Sequence, residues 1–460
     1  MTTESIVPMH EKSSTISSHL ESIPLSSIRG ILPDKAILGA CSDANYQFRE
    51  RLITPVVTVL HMLLAAIWPE ESFNASWQVL WSIFKSRYPT VSRNSPSRGD
   101  VSKARKRLPP AVWQNLFAWI SRQAQELSEP WSRWHGHRVV LLDGTCVSMP
   151  DTPALMSAFG TQTGYRGTAR YPLARLVVLS LANTMTVISY ALGGYRQAET
   201  RLASTLLETL QKDDLLLADR LFAAAHFYVG YQRKGLEFLT RIHQRLKLSQ
   251  IKRLCSYSPN DFIGRMKVGT HYRRKDPTLP AWITVRFIQA QFVVRGRMQT
   301  MWLVTSLRDA QRYPAAEIVE LYARRWRIEV LFRELKIDLS ADVLRSQSPE
   351  GIRKEIAARL IAINVVRSII LEAAAQNGTE DPLRLSFIFA VRAIVNFAPA
   401  LAIEPFWKLR MIYQAMLREI AAHQVEWRPG RNEPRMIRRD RKHYPMLTTT
   451  RAEWRNAYVA

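Results

Sequence analysis

The feature of this sequence that most constrains its fold is a change of hydrophobic period near Trp131. From Leu52 to about Glu126 apolar residues recur every three or four positions, as they do on one face of a helix. Beyond that point they form short continuous runs, which is the pattern of buried strands, and helical segments separate the later runs. The order β-β-β-α-β-α-β predicts a mixed sheet with helices packed on it, hence an α/β fold.

The same periodicity divides the chain into units. Strands are predicted over 137–145, 174–181, 186–194, 214–222 and 236–243, and helices over 201–211 and 223–234. Basic, β-prone sequence then interrupts the alternation and reads as an insertion, after which helical periodicity returns at Ala315. The expected units are an all-helical N-terminal domain (1–130), the first part of a core (131–245), the insertion (246–305), the second part of the core (306–400) and a basic C-terminal region (401–460) with an Arg- and Pro-rich stretch at 427–445.

The charge of the chain indicates its partner. There are 64 Lys and Arg against 39 Asp and Glu, a formal net charge of +25. Fixed cations release counterions from phosphates, so nucleic acid is the first partner to consider and an anionic membrane surface the second. The three cysteines are far apart, which argues against a disulfide framework and a Cys-based zinc site. We find no clean apolar run of about 20 residues and no signal-peptide pattern, and we expect a cytoplasmic protein with no membrane partner.

A short basic helix is predicted within the N-terminal domain. A Ser-, Pro- and Gly-rich break at 91–100 precedes the segment VSKARKRL, where Lys103 and Arg107 lie four residues apart on one helix face. Such a charge run is usually a solvated face, but a break followed by a basic helix also resembles a DNA-recognition helix. We expect DNA contacts from Lys103, Lys106 and Arg107.

Two aspartates follow apolar runs that read as buried strands. Asp143 comes directly after VVLL, and Asp219 comes directly after LLLA. Each is therefore expected where its strand leaves the sheet, which is where the sites of α/β proteins concentrate. Either aspartate could instead be an ordinary loop cap.

A third group of polar residues lies in the helical segment LYARRWRIEVLFRELK. At about 100° per residue, four of its side chains fall within an arc of about 60°, whereas Glu334 lies about 140° from Glu329 and cannot serve the same site. Because further arginines make the segment charged all round, a solvated face of ion pairs is the alternative. The four residues are Tyr322, Arg325, Glu329 and Lys336.

Convergence of the three acidic residues would create a site for phosphoryl transfer. Three carboxylates can bind two divalent cations about 3.5 to 4 Å apart, which activate water or a 3′ hydroxyl and stabilise the leaving oxygen of a phosphodiester. Guanidinium, ammonium and phenol groups can hold the phosphate oxygens. We expect metal ligation from Asp143, Asp219 and Glu329, and phosphate and strand contacts from Tyr322, Arg325 and Lys336.

The order LLDGT, LLADR and Y-x2-R-x3-E-x6-K resembles the DDE transposases of bacterial insertion sequences, of the insertion-sequence-four type. The resemblance spans about residues 30 to 400 and implies an RNase H-like core, with a β-rich insertion between its fifth strand and the helix that bears the glutamate. It implies cleavage of DNA at element ends and strand transfer into target DNA. It also implies Mg²⁺ or Mn²⁺, two ions per site, and a synaptic complex that contains a homodimer or a larger assembly.

One residue departs from the pattern of related cut-and-paste enzymes, which place a base-stacking Trp four residues before a Thr-Ser pair. Here Thr305 and Ser306 are preceded at that spacing by Met301. We expect the neighbouring Trp302 to point to the opposite face of its strand and to pack in the core. Trp282 would then be the nearest candidate for stacking a displaced base.

Basic and aromatic residues are interleaved in the insertion. Such alternation can follow a nucleic-acid backbone and stack bases, but it also arises when one face of a strand is buried, and the sequence favours neither interpretation. The residues are Arg273, Arg274, Lys275, Arg286, Arg295 and Arg297, interleaved with Tyr272, Trp282, Phe287 and Phe292.

Two other functions are compatible with this sequence. An RNase H-like endonuclease would use the same core to cut DNA without joining it. A non-catalytic regulator descended from a transposase would bind DNA only. The intact set of carboxylates disfavours the regulator, because a protein that only binds DNA has no need for metal ligands.

Overall fold

The computed structural model of the chain describes residues 30–425 except 50, 69–71, 91–93, 165–166, 169–170, 243–245, 247 and 295–296. The predicted basic stretch at 427–445 and Arg295 of the insertion lie outside the described residues.

The N-terminal part is helical, as its period predicts. Polar side chains begin several of its helices: the Thr54 hydroxyl accepts the N–H of Val57, and Ser97 and Asp100 form a reciprocal capping box. The predicted break at 91–100 therefore gives way to a helix at Arg98. The helices are α1 (Asp34–Asp43), α2 (Pro55–Ile67), α3 (Phe73–Arg87), α4 (Arg98–Arg107) and α5 (Pro110–Ser132).

A single large sheet forms the centre of the molecule. Its main strands are β1 (His137–Ser148), β2 (Leu173–Leu181), β3 (Val187–Gly194), β4 (Leu215–Ala218), β5 (Glu237–Arg241), β6 (Lys252–Ser258), β7 (Asp261–Lys267), β8 (Trp282–Val294) and β9 (Arg297–Thr305). The order across the sheet is β3-β2-β1-β4-β5-β9-β8-β7-β6, and the short strand Arg133–Trp134 pairs with β1. A separate two-stranded sheet joins Thr163–Gly164 to Gly167–Thr168.

The first five strands have an RNase H-like arrangement. β1, β2 and β3 are antiparallel neighbours, whereas β4 and β5 follow β1 as parallel strands. The predicted mixed α/β sheet is thus confirmed. β4 is shorter than the predicted strand over 214–222, because a 3-10 turn begins at Arg220.

The β-rich insertion continues the core sheet. β6 to β9 form an antiparallel meander, and β9 pairs with β5 through Leu303 and Arg241. Arg286 cannot contact DNA, because its side chain is fully buried and its Nε donates to Asp261 Oδ1 at 2.7 Å. Phe287 is fully buried as well. These consecutive residues project to opposite faces of β8, so both faces of the strand are buried here and neither residue is available to DNA.

Helices cover both faces of the sheet and complete the fold. They are α6 (Pro153–Phe159), α7 (Glu199–Leu206), α8 (Ala225–Arg233), α9 (Thr270–Lys275), α10 (Ala315–Ala323), α11 (Arg327–Arg333), α12 (Pro349–Gln376), α13 (Phe387–Ile403) and α14 (Phe406–Ala422), with 3-10 turns at Leu207–Thr209, Arg220–Phe222, Leu248–Gln250, Arg324–Trp326 and Pro382–Arg384 and a π turn at Glu334–Asp338. In the described part of the chain, none of these helices has the length and apolar character that crossing a bilayer requires.

Two apolar clusters lie on the two sides of the sheet. One contains residues of α7 and α8, such as Leu202 and Tyr228. The other joins the opposite sheet face to the buried helix α12 and to the N-terminal helices, including the fully buried Trp77 and Trp113. The N-terminal helices therefore share one core with α12, which contacts both α2 and α5. We call the side of the sheet that faces α12 the α12 face.

Candidate active site

Asp143 and Asp219 lie side by side on the α12 face of the sheet. In the parallel pair β1–β4, Leu142 is in register with Ala218, so the two aspartates are the next residues on neighbouring strands. Side chains alternate along a strand, and the residues two positions before each aspartate belong to the apolar cluster of the α12 face. Both carboxylates therefore project towards that face.

The structure corrects the predicted position of Asp143 within its strand. β1 does not end at Asp143 but continues to Ser148, paired with β2. Only β4 ends here, at Ala218, and Asp219 is the N-cap of the 3-10 turn Arg220–Phe222. Asp143 is thus the point at which β1 loses its parallel neighbour, and its Oδ1 accepts the N–H of Gly144 at 2.8 Å.

The segment that carries Glu329 is not the regular helix that the sequence predicts. α10 is followed by a 3-10 turn, the seven-residue helix α11 and a π turn. A 3-10 turn is wound more tightly than an α-helix and a π turn more loosely, so the constant 100° per residue of the prediction does not hold along this segment. Tyr322 and Arg325 are buried, Lys336 is half-buried, and the side chain of Glu329 is 55% exposed.

Arg325 connects the two carboxylate-bearing elements. Its Nη1 lies 3.7 Å from Asp143 Oδ2, and its Nη2 lies 4.0 Å from Glu329 Oε1. Its Nε is buried and has no hydrogen-bond partner among the described residues. The guanidinium also stacks over the half-exposed ring of Trp326, 4.4 Å from the ring centre. No sequence pattern singles out Trp326, although its exposure places an aromatic surface at the site.

Burial and negative charge both act on Asp143. Burial raises the pKa of its carboxyl to about 6, the hydrogen bond from Gly144 and the charge of Arg325 oppose this rise, and the charges of Glu199 and Asp219 add to it. Glu199 packs against the strand at Gly144, where a Cβ atom would lie 2.5 Å from its Cδ. Gly144 and Asp143 project to opposite faces of β1, so Glu199 acts on Asp143 from the other face of the sheet, where it pairs with Arg175 of β2 at 3.0 Å. No sequence pattern predicts this approach.

The other two predicted residues, Tyr322 and Lys336, lie in different surroundings. Burial raises the pKa of Tyr322 to about 12, Arg325 lowers it, and the charge of Asp219 raises it further. Tyr322 is therefore part of the same group as the aspartates. Lys336 interacts instead with Cys146, three residues beyond Asp143 on β1, and with Asp342; burial lowers its pKa and both partners oppose the shift.

A family model described as a transposase DDE domain matches residues 134–365, half of the chain. The chain belongs to the DDE transposase family. The match contains both aspartates and the whole segment from Tyr322 to Lys336, and it ends within α12.

Relatives of this DDE transposase include two curated proteins of Escherichia coli K12. Transposase InsG of insertion sequence element IS4 is 28% identical over 289 residues, 62% of this chain and 64% of that protein. Putative transposase InsZ is 29% identical over 143 residues, 31% of this chain and 48% of that protein. The aligned regions thus span less than two thirds of either relative. Among solved structures, a cryo-EM structure of a piggyBac transposase synaptic complex with hairpin DNA covers 88% of this chain and 86% of its own, at 10% identity and a TM-score of 0.42.

The site of this DDE transposase has the donor chemistry of a divalent-cation site, but its ligands are not assembled. Among the residues that the structure describes, no three carboxylate, imidazole or thiol groups are close enough to hold a metal ion. Asp143 and Asp219 offer adjacent hard oxygen ligands, and the raised pKa of Asp143 reflects negative charge that burial leaves poorly compensated. The residues therefore fit a hard divalent cation, with Glu329 as the ligand that stands apart.

The predicted DNA-contacting residues of the N-terminal part lie on α4. Lys103 and Lys106 are exposed, whereas Arg107 is half-buried and faces Arg51. The buried Lys354 of α12 donates to the carbonyl oxygen of Lys106 at 3.0 Å and so fixes the end of α4. The structure attaches this basic helix to the core without placing it among the carboxylates.

The structure tests the predicted positions of two tryptophans of the insertion, Trp302 and Trp282. Met301 belongs to the cluster of the α12 face, whereas Trp302 packs against the opposite cluster with its ring 5.7 Å from that of Phe262, so the prediction for Trp302 is confirmed. The prediction for Trp282 is wrong. Strand register puts Ile288 of β8 in the row of Asp219, and Trp282 lies six residues earlier, about 20 Å away along the strand.

Proposed function

We propose that this DDE transposase cleaves DNA at the ends of its element and joins the cut ends to target DNA, in a reaction that requires Mg²⁺ or Mn²⁺. The observation that supports this proposal is the pair Asp143 and Asp219, in register on one sheet face and linked through Arg325 to Glu329. The named relatives are transposases of insertion sequences, which agrees with it.

Each residue of the site has a distinct task in this proposal. Asp143, Asp219 and Glu329 would hold the divalent cations, which when bound supply Lewis-acid activation of the attacking hydroxyl and of the scissile phosphate. Arg325 would turn from the carboxylates to a non-bridging phosphate oxygen, for which its unpartnered Nε is a free donor. Tyr322, with a pKa of about 12, keeps its proton at neutral pH and can donate it in a hydrogen bond to the strand.

Assembly of the site requires Glu329 to approach the aspartates. Its carboxylate now pairs with Arg325 at 4.0 Å, on a helix that a 3-10 turn and a π turn bracket. Such turns often mark positions where a helix is locally adjustable or functional. We propose that binding of metal and DNA draws α11 towards the sheet, since both supply charges that compete for Arg325 and Glu329.

The rest of the chain would bring DNA to this site. We propose that the N-terminal helices bind the transposon end through Lys103, Lys106 and Arg107, and that two or more copies of the chain hold the paired ends in a synaptic complex. The formal charge of +25 supports a polyanionic partner. Such a protein would act in the bacterial cytoplasm, on the nucleoid when bound to DNA.

The proposal is tested with Glu329→Gln, which removes a charge but little volume. We expect the variant to bind end DNA normally and to lose cleavage. Glu334→Gln is the matched control, because Glu334 is buried in the π turn and pairs with Arg367 instead of the site. Both variants are assayed at a temperature at which they stay folded.

Three outcomes would change the assignment. Near wild-type cleavage by Glu329→Gln would show that the wrong glutamate has been chosen. Cleavage without joining, measured with a supercoiled target, would make the chain an endonuclease. Binding of element ends without metal-dependent cleavage by the wild-type chain would make it a DNA-binding regulator.

A further inference from the structure

The row of side chains that contains the two aspartates continues onto the next strand. Ala218 of β4 is in register with Thr240 of β5, so Asp219 and Arg241 are the next residues on these parallel neighbours. Leu239, two residues before Arg241, belongs to the apolar cluster of the α12 face. Because side chains alternate along a strand, Arg241 projects to the same face as the aspartates.

Arg241 is a half-buried cation that has no carboxylate partner among the described residues. In the described part of the chain its guanidinium makes no hydrogen bond or ion pair, and Asp219 beside it lies beyond ion-pair distance. Its charge does act on the phenol of Tyr322, which places it within the electrostatic environment of the site. Partial burial of an unpaired charge costs free energy, which an anionic ligand would offset.

Its place in the row indicates which part of the substrate it meets. Neighbouring strands are about 4.8 Å apart, so the backbone of Arg241 is about 5 Å from that of Asp219 and about 10 Å from that of Asp143. Asp219 thus separates Arg241 from the centre between the two aspartates, where the scissile phosphate would lie. Arg325 approaches that centre from the helix side.

We propose that Arg241 binds a phosphate that flanks the scissile one on the DNA strand, and so fixes the position of that strand along the row. This inference rests on the proposed function. Arg241 would be a strand-positioning residue that contacts substrate, additional to the predicted Tyr322, Arg325 and Lys336. Because the contact is to a phosphate, it should not depend on the base sequence.

The test compares Arg241→Gln and Arg241→Lys in the full chain, with Arg265→Gln as the control. Arg265 is an exposed arginine of β7 in the same sheet. Binding of a fluorescent end duplex and of a scrambled duplex is measured by anisotropy at several salt concentrations. Removal of one phosphate contact should lower the slope of log affinity against log salt by about 0.9 and weaken binding to both duplexes by the same factor. We expect this result for Arg241→Gln and not for Arg241→Lys or Arg265→Gln.

Thermal unfolding without DNA gives a second, independent readout. A partly buried cation that lacks a partner does not stabilise the fold, so Arg241→Gln should melt at or above the wild-type temperature. If Arg241 were instead a structural partner of Asp219, Arg241→Gln would melt at a lower temperature and keep the wild-type salt slope. That result would overturn the inference.

The binding assay also separates this inference from the proposed function, since it needs no cleavage. A wild-type chain that never cuts DNA, but whose salt slope falls in Arg241→Gln, contradicts the proposed function and leaves the phosphate contact standing. A chain that cuts and joins DNA while Arg241→Gln keeps the wild-type slope contradicts the inference alone.

Discussion

The two aspartates and the glutamate of the candidate site are held in different ways. Asp143 and Asp219 are positioned by the hydrogen-bonded register of two strands whose apolar residues are buried. Glu329 stands on a seven-residue helix between two irregular turns, with a side chain that is 55% exposed. The comparison teaches that strand register positions the sheet side of the site, whereas the helix side carries its carboxylate on an irregular, exposed segment, which we propose metal and DNA bring to the aspartates.

The largest effect we predict is on catalysis. Asp219→Asn and Glu329→Gln should each reduce the cleavage rate by about 10³-fold, because each removes a ligand for metal-dependent charge stabilisation worth several kcal/mol. The two should differ in Mn²⁺ binding without DNA, measured by calorimetry: Asp219→Asn should lose it and Glu329→Gln should largely retain it.

This difference in metal binding distinguishes the sheet side, with Asp143 and Asp219, from the helix side, with Glu329. Equal reduction of Mn²⁺ affinity in both variants would show that Glu329 already belongs to a formed metal site, and the comparison would fail. An exposed carboxylate elsewhere, such as that of Glu317 on α10, provides a control, since Glu317→Gln should change neither measurement.

The next effect concerns what anchors the helix side. Glu334 and Arg367 form a buried ion pair between the π turn and α12. Glu334→Gln leaves an uncompensated buried cation and should lower the free energy of unfolding by about 3 kcal/mol, measured with urea, whereas Glu329→Gln should leave it unchanged. The double variant Glu334→Leu/Arg367→Met should recover most of this stability. Should Glu334→Gln be as stable as wild type, α11 is not anchored through this pair.

A smaller effect is expected from the cations of the helix side. Arg325→Ala should lower both cleavage and end-complex assembly by about 10²-fold, in the range found when one donor to a developing charge is removed. Lys336→Ala should have a weaker effect, because Lys336 lies farther along β1, beside Cys146. Arg325→Lys should not restore activity, since an ammonium lacks the bidentate fork of a guanidinium. If Arg325→Ala and Lys336→Ala both cleave DNA and assemble the end complex as the wild type does, these cations only face solvent and do not contact the substrate.

The sequence predicts the elements of this site better than their relation to one another. Continuous apolar runs identify β1 and β4, because strands buried on both faces have no polar alternation. The end of β1 was not predicted, since its last residues pair with β2 as regularly as those before Asp143. A helical period likewise cannot reveal a π turn, which adds a residue without changing composition.

The residues that sequence reasoning missed share one property. Glu199 acts on Asp143 from the opposite face of the sheet, where it pairs with Arg175 of β2, and Arg241 lies beside Asp219 through the register of β4 and β5. Neither lies in a motif, and each is an ordinary charged residue by its local context. Local patterns therefore locate Asp143 and Asp219, but the charges that surround them depend on non-local pairing.

The smallest effect we predict is on DNA binding by α4. It tests whether this helix, like the two aspartates, is held in its working position by the fold itself. Its end is fixed to α12 by Lys354, and the N-terminal helices share the core of α12, so the test requires the full chain. Lys103 and Lys106 are exposed, and Lys103→Ala/Lys106→Ala should preserve stability and weaken end binding several-fold. The salt slope should fall by about 0.9 for each phosphate that the variant no longer neutralises.

A preference for the element's own end over scrambled DNA should also decline in this double variant if α4 reads bases as well as phosphates. The control is Lys354→Met, which leaves the surface of α4 unchanged but removes the donor to its last carbonyls. It should lower stability and affect binding only through the position of α4. If the double variant keeps both its end preference and its salt slope, α4 does not contact the DNA, and the end must be recognised by another part of the chain.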